Sequence, residues 1–204
     1  MRIGILGGTF NPIHNTHIKL ATESMAQLGL DKVIFITSAS PPHKAVEHGV
    51  DDEVRHRMVE LAIKDISHFE ASRIELDRRG KSYTYYTIVE LKKKYPNSEL
   101  FFIVGGDSID YIEQWHRADE LLRLCSFAVY PRGDVAGEYL QKRCEWLERV
   151  YGAVCYVLDV CGDEVSSTVV RRLVAEGDDI KGLVPKAVEE FILSSRIYKG
   201  DKNG

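Results

Sequence analysis

Short apolar runs and helix-spaced apolar positions alternate along most of the chain. Residues 2–6 form an apolar run that ends at two glycines, and residues 32–37 (KVIFIT) form a second run. Between them, apolar residues recur every three or four positions up to Gly29, as on the buried face of an amphipathic helix. Strands that alternate with helices in this way predict a parallel sheet covered by helices on both faces.

The same pattern continues to the end of the chain. Further strands are predicted at residues 72–76, 99–104, 126–130 and 153–158. Further helices are predicted over residues 85–95, 137–149, 168–175 and 187–193, and one through Val54, Met58, Leu61 and Ala62. The fold class is therefore α/β: a doubly wound, Rossmann-like parallel sheet in one domain. We expect that domain to span residues 1–200, with a frayed polar tail at 201–204.

Charge and composition exclude several kinds of partner. The chain has 27 Lys and Arg against 31 Asp and Glu, a net charge of −4, whereas proteins that bind bulk nucleic acid usually carry a basic excess. No apolar run approaches the roughly 18–20 residues of a membrane helix, and no secretory signal is visible. The four cysteines match no zinc or redox spacing, so we expect reduced thiols in a cytoplasmic protein that binds neither membranes nor nucleic acid.

The first motif with chemical character follows the first strand, where sheets of this kind bind their ligands. Residues 7–17 read GGTFNPIHNTH, and the glycines allow backbone N–H groups to approach a ligand closely. The helix that begins after Pro12 offers N–H donors and a positive dipole end, which suits phosphate. His14 and His17, three residues apart, project from one side of that helix start. Alternatives are incidental histidines in a turn or a metal pair, although the other histidines supply no third zinc ligand at a recognisable spacing.

A second motif follows the last predicted strand. Residues 165–171 read VSSTVVR, in which hydroxyl side chains suit a helix start and Arg171 lies about one turn further on. Taken alone, this stretch also fits a plain capped helix with a surface arginine.

Together the two motifs carry a family resemblance. The segment GTFNPIHNTH resembles the histidine signature of the nucleotidyltransferase superfamily, and SSTVVR resembles its second motif. With residues 41–44 (PPHK), 82–84 (SYT), 105–108 (GGDS) and 115–116 (WH), the chain resembles the nicotinate-nucleotide adenylyltransferases. It departs from that pattern at five positions: Asn11 and Tyr86 where the family usually has Asp, Ser38 where it has Asn, Gly106 where it has Ala, and Thr16 where it has Gly.

The resemblance implies a reaction and a set of site residues. ATP and nicotinate mononucleotide would give deamido-NAD and pyrophosphate, with Mg²⁺ accompanying ATP rather than sitting in a protein metal site. The implied catalytic residues are His14, His17 and Arg171. The implied ATP-binding residues are Gly7, Gly8, Thr9, Phe10, His14, His17, Gly105, Asp107, Ser166, Ser167, Thr168 and Arg171. The implied mononucleotide-binding residues are Ser38, Lys44, Thr84, Trp115 and His116.

Several alternatives stay open at this point. Trp115 also fits ordinary core packing, Lys44 a solvated loop, and Asp107 a helix N-cap. The chain could be a sister transferase that adenylylates nicotinamide mononucleotide or pantetheine phosphate, or a non-catalytic nucleotide-binding module. Only the resemblance favours nicotinate over nicotinamide, and the sequence does not decide whether the protein is a homo-oligomer.

Overall fold

Six parallel strands form one sheet in the order β3-β2-β1-β4-β5-β6. The structure is a computed structural model that describes residues 1–39, 50–78, 80–131, 137–160 and 165–199. The predicted α/β class with a doubly wound, Rossmann-like sheet is confirmed. The strands are β1 (Arg2–Gly8), β2 (Lys32–Thr37), β3 (Phe69–Ser72), β4 (Glu99–Gly105), β5 (Ser126–Tyr130) and β6 (Val154–Val157).

Helices connect the strands and cover both faces of the sheet. They are α1 (Asn15–Leu28), α2 (Asp52–Ile63), α3 (Ile74–Asp77), α4 (Thr84–Lys94), α5 (Gly106–Ile109), α6 (Ala118–Leu124), α7 (Gly137–Tyr151), α8 (Ser167–Glu176) and α9 (Lys186–Ser195). A 3-10 turn (Ile112–Gln114) lies between α5 and α6.

Alternation along each strand divides the apolar residues between two cores. In β4, Phe101 and Ile103 face the core that packs α1, α2, α8 and α9 against the sheet. Leu100, Phe102 and Val104 face the other core, beneath α4, α6 and α7. Because both faces are covered, the central strands are apolar on both sides, which explains why they read as continuous runs rather than alternating ones.

The chain reverses its direction across the sheet between β1 and β4. Strand β1 pairs with β2 on one side and with β4 on the other, so the connections from the two strands lead away from each other. A crevice opens at the carboxyl ends of two such strands. Gly7 and Gly8 end β1, and Gly105 ends β4, so the glycine motifs lie at this crevice.

The structure corrects three details of the predicted elements. The strand expected at residues 72–76 is instead Phe69–Ser72, because its partner β2 ends at Thr37 and cannot extend the ladder, and the chain then turns into α3. Helix α2 buries Arg55 and His56 beside its apolar residues, which rotates its inner face away from Val54. The short helices α5 and α6 were not predicted.

Some predictions concern residues outside the described ranges, namely Lys44, Cys161 and the tail at 201–204. Cys125, Cys144 and Cys155 are free thiols, as expected, and burial raises the pKa of Cys125 to about 12, which suits a core position. Within the described ranges, no helix has the length and apolar character needed to cross a bilayer.

Candidate active site

Two adjoining cavities open at the carboxyl ends of the strands. The larger, of about 620 Å³, holds both histidines of the first motif and Arg171, and the smaller, of about 200 Å³, lies beside β2 and the start of α4. They share one wall, built by Gly7, Gly8, Thr9, Phe102 and Trp115. The arrangement is therefore a two-compartment site divided by the end of β1 together with Phe102 and Trp115.

Two helix N-termini meet at the larger cavity. His14 is the N-cap of α1, and Ser166 is the N-cap of α8, where its Oγ accepts the backbone N–H of Val169 at 3.3 Å. The Ser167 hydroxyl donates to the Pro12 carbonyl at 2.8 Å and thereby ties α8 to the loop before α1. Both N-termini carry partial positive charge, so the cavity suits an anion.

His14 and His17 lie close together at the start of α1. Their ring centroids are 3.8 Å apart, and His14 is only 6% exposed. The backbone N–H of His14 donates to Nδ1 of His17 at 3.2 Å, so Nε2 of a neutral His17 carries the ring hydrogen. The capping role and the ligand-binding role considered from the sequence are thus compatible, because they use different nitrogens of His17.

Arg171 reaches the same cavity from α8. Its side chain is 8% exposed, and Nη1 donates to the Asn11 carbonyl at 2.9 Å. Nη2 lies 3.5 Å from Oγ1 of Thr168, one turn earlier in the helix. The Asn11 carbonyl therefore sets the direction of the guanidinium. The alternative interpretation of Arg171 as a surface residue is wrong, because its side chain is buried.

Gly105 and Asp107 lie at the end of β4. Asp107 occupies the first turn of α5, whose N-cap is Gly105 rather than Asp107. A Cβ at Gly105 would lie 2.5 Å from Oδ1 of Asp107, so the absence of a side chain there leaves room for this carboxylate. Gly105 and Ser108 line the larger cavity, while the Asp107 carboxylate lies against the backbone beside it.

The described mononucleotide-side candidates all meet in the smaller cavity. Ser38, Thr84, Trp115 and His116 line it, although they come from three different segments of the chain. The backbone N–H of Ala39 donates to the Ser82 hydroxyl at 3.2 Å, which joins the loop after β2 to the start of α4.

Two buried polar atoms in the lining of this smaller cavity have no partner within the described part of the protein. They are Nε1 of Trp115, a donor, and Oε2 of Glu75, an acceptor. Oε1 of Glu75 accepts the Thr87 hydroxyl at 2.6 Å, so the carboxylate is fixed in place. Trp115 also packs edge-on against Phe102, with ring centroids 6.0 Å apart. An unsatisfied buried donor and acceptor in one cavity are the groups that a bound ligand would satisfy.

Aromatic side chains hold His116 at the mouth of the smaller cavity. Its ring stacks on Tyr83 with centroids 4.4 Å apart, and Nε2 lies 3.1 Å from the Tyr86 hydroxyl. The next residue, Arg117, has a left-handed backbone with φ of 54°. Arg117 is fixed there by an ion pair with Glu120 and by the Tyr85 ring, which lies 4.2 Å below its guanidinium.

The charges of the two cavities differ. Among the described residues that line the larger one, Arg171, His14 and His17 bring cationic or proton-donating groups, and none is a carboxylate. In the smaller one, Glu75 is the charged lining residue within the described ranges. The described residues also contain no cluster of three His, Cys, Asp or Glu side chains placed to hold a metal.

Sequence reasoning missed several residues of the site. Glu75 comes from α3, which lies in the segment predicted as a strand. Ser108 stands in the GGDS motif at residues 105–108 but was not assigned to the site. Arg55 is 1% exposed in α2, and its Nη1 donates to the Thr9 carbonyl at 2.6 Å. Tyr198 donates to Oδ1 of Asn11 at 2.5 Å. A polar residue on an otherwise apolar helix face was the available signal for Arg55, and none pointed to Tyr198.

Comparison with known proteins agrees with this geometry. The model of the cytidylyltransferase-like family matches residues 5–173. A protein of Clostridium botulinum named probable nicotinate-nucleotide adenylyltransferase is 40% identical over 198 residues, covering 97% of this chain and 98% of the relative. One of Thermoanaerobacter with the same name is 40% identical over 203 residues, covering 99% and 96%. The chain therefore belongs to the cytidylyltransferase-like family and, within it, to the nicotinate-nucleotide adenylyltransferases.

Solved structures share the fold at lower sequence identity. Plasmodium falciparum nicotinic acid mononucleotide adenylyltransferase complexed with NaAD has a TM-score of 0.77 and 19% identity, with 97% of each chain covered. A putative nicotinate-nucleotide adenylyltransferase from Vibrio parahaemolyticus has a TM-score of 0.68 and 21% identity, with 97% of this chain and 95% of that chain covered.

Proposed function

We propose that this protein transfers the adenylyl group of ATP to nicotinate mononucleotide, giving deamido-NAD and pyrophosphate. The observation that carries the proposal is the shared wall between a cationic cavity and a smaller aromatic one. Two substrates placed on either side of Gly7–Thr9 would bring their phosphates together at the loop that ends β1. Membership of the family and the similarly named relatives support the same reaction.

The reaction requires the protein mainly to position the two substrates and to supply positive charge near their phosphates. An oxygen of the mononucleotide phosphate attacks the α-phosphorus of ATP, and the bond from that phosphorus to the bridging oxygen breaks as pyrophosphate leaves with the electron pair. The attacking phosphate is largely dianionic at neutral pH, because its second pKa is about 6. No strong base is needed, and the enzyme acts by alignment and electrostatic stabilisation.

The larger cavity supplies the ATP side. His14 and His17 would donate to phosphate oxygens as negative charge shifts toward the leaving group, and Arg171 would hold the β- and γ-phosphates with its fork of donors. The backbone at Gly7, Gly8, Thr9 and Phe10, the hydroxyls of Ser166, Ser167 and Thr168, and Gly105 with Asp107 would bind the rest of the nucleotide.

The smaller cavity supplies the mononucleotide side. Trp115 offers a flat face to the cationic pyridine ring, and Thr84 and His116 lie where backbone N–H groups could hold the nicotinate carboxylate. Ser38 also lines this cavity. Lys44 would bind the mononucleotide phosphate from outside the described ranges.

Mg²⁺ would accompany ATP. The donor set of the larger cavity, rich in hydroxyl and cationic groups, suits a metal held by phosphate oxygens and water rather than by a protein cage. When bound, the ion would neutralise part of the triphosphate charge.

Pyrophosphate release with three acceptors tests the proposal. We expect kcat/KM for nicotinate mononucleotide to exceed that for nicotinamide mononucleotide more than tenfold, because donors aimed at a carboxylate meet an NH₂ group poorly. Pantetheine phosphate should give no release. Release with either competitor at the higher kcat/KM would replace this assignment, and no turnover of any acceptor despite ATP binding would favour a non-catalytic module.

A further inference from the structure

We propose that Tyr198 is a positioning residue for adenylyl transfer: its hydroxyl holds Asn11 and so fixes the loop that orients Arg171. The inference rests on the proposed function for its kinetic consequence. The contact itself joins residues 187 positions apart: Asn11 lines the larger cavity, and Tyr198 does not.

Asn11 accepts a hydrogen bond from the side chain of Tyr198 and another from the side chain of Arg171. The Tyr198 hydroxyl donates to its side-chain oxygen at 2.5 Å, and Arg171 Nη1 donates to its backbone oxygen at 2.9 Å. Asn11 is 4% exposed, so bulk water does not compete for either bond. Because both bonds end on Asn11, a shift of this residue after loss of the Tyr198 bond would displace its carbonyl and with it the guanidinium that faces the triphosphate site.

The electrostatic surroundings keep the hydroxyl protonated. Burial raises the pKa of Tyr198 well above its usual range, and the positive charges of Arg171 and Arg55 only partly offset that effect. The phenol thus remains a hydrogen-bond donor throughout the neutral range. Arg55 in turn holds the Thr9 carbonyl at 2.6 Å, so the loop is braced at Thr9 as well as at Asn11.

Backbone conformation on both sides of this contact is unusual. Phe10, next to Asn11, has φ of 48°, and in the C-terminal turn Arg196 and Tyr198 have φ of 55° and 64°. Residues other than glycine occupy this left-handed region at a cost, and they persist there where the surroundings fix them, often at functional sites. Ile197 and Tyr198 also pack against the core that holds α1 and α8.

A matched pair of tyrosine variants tests the proposal. Tyr198→Phe removes the hydroxyl and keeps the ring. Tyr95→Phe removes a hydroxyl that accepts from Lys32 at 3.1 Å. Lys32 is the first residue of β2, so this control lies at the amino ends of the strands, away from the cavities at their carboxyl ends. We expect Tyr198→Phe to lower kcat/KM for ATP about tenfold or more. The KM for nicotinate mononucleotide should stay near that of the parent, and the melting temperature should fall modestly because a buried hydrogen bond is lost. Tyr95→Phe should leave both kinetic constants unchanged. A Tyr198→Phe protein with the parental kcat/KM for ATP, or with losses for both substrates that only follow a lower melting temperature, would overturn the proposal.

A double-mutant cycle identifies Asn11 as the link. If Tyr198 acts through Asn11, the Asn11→Ala/Tyr198→Phe protein should be no slower than Asn11→Ala alone. Additive losses in kcat/KM for ATP would refute this route. Calorimetric binding of ATP to the parent and to Tyr198→Phe separates the two proposals: weaker binding by the variant supports the role of Tyr198 even if nicotinate mononucleotide is not the acceptor. If the parent is active on nicotinate mononucleotide and Tyr198→Phe binds ATP and turns over as well as the parent, the role of Tyr198 is rejected while the proposed function stands.

Discussion

Nδ1 of His17 accepts the backbone N–H of His14 at 3.2 Å, so one imidazole both caps helix α1 and faces the larger cavity. The two functions can be separated, because Asn offers an oxygen close to the position of Nδ1 but nothing at the position of Nε2. His17→Asn and His17→Ala should each lower kcat by about 100-fold or more, as for the loss of a donor to developing charge.

Stability distinguishes those two variants. His17→Ala should lose about 1 kcal/mol in the free energy of unfolding, whereas His17→Asn should stay near the parent, because it keeps the cap. Pyrophosphate release and denaturant unfolding measure the two properties. Parental kcat in His17→Asn would show that Nε2 takes no part in the reaction.

Glu75 should matter for the mononucleotide rather than for ATP. Its Oε2 is buried in the lining of the smaller cavity without a partner among the described residues, and a cationic pyridine ring would interact favourably with that charge. Glu75→Gln keeps an acceptor for Thr87 and should raise the KM for nicotinate mononucleotide by roughly three- to tenfold, with KM for ATP unchanged. Glu90→Gln is the control: Glu90 pairs with Arg78 at 2.9 Å, as Glu75 does at 3.9 Å, but does not line the cavity. Equal effects of both variants would assign the change to Arg78.

Tyr86 should affect the binding of nicotinate mononucleotide through its contact with His116. Tyr86→Phe removes the hydroxyl 3.1 Å from Nε2 of His116 and leaves the ring contacts. Because Tyr86 is 40% exposed, we expect a modest rise in the KM for the mononucleotide, roughly two- to fivefold, without a change in kcat. Tyr111→Phe, at 43% exposure, provides the comparison. A fall in kcat with constant KM would contradict a role in ground-state binding.

His56 should make stability depend on pH in a narrow window. Burial lowers the pKa of His56 below 6.5, so between its folded and unfolded pKa values the unfolded state binds more protons. The contribution is present above about pH 6.5 and is lost as pH falls through the folded pKa, with a slope of at most about 1.4 kcal/mol per pH unit. Glu53, Glu70 and Glu120 have pKa values lowered from 4.5, so they change the folding stability only below about pH 4.5.

Urea unfolding at pH 5.5 and 7.5 measures the effect. His56→Asn, which can still bond to Thr37, should show a smaller difference between the two pH values than the parent, and exposed His68→Asn should match the parent. A parental difference in His56→Asn would place the titrating group elsewhere.

Local patterns predicted the fold where the elements obey them. Strands β2 and β5 have the predicted bounds, because both are buried and bounded by turn residues. The third strand was misplaced because Ser72, Ile74 and Leu76 alternate as a strand would, while the actual limit is set by the end of β2. Helix α5 is four residues long, too short to show a period.

The candidate site was predictable only where the chemistry lies in contiguous motifs. The histidines and Arg171 come together because the two motifs follow two parallel strands, and the carboxyl ends of parallel strands lie at the same end of the sheet. Arg55 and Tyr198 depend on which side chains meet across the fold, and no spacing in the sequence records a contact 187 residues apart. Asn11 was noticed as a departure from the family pattern, but its partner was not.

The wall that the two cavities share also bears on inhibition. A compound that joins an adenosine group to a pyridine group across Gly7–Thr9 would bind both compartments after losing its translational freedom once, so its affinity should far exceed that of either half. The length of the linker is the decisive variable, because its best value equals the distance across the shared wall. A series of linked ligands of increasing length would therefore act as a ruler for the separation of the two substrates.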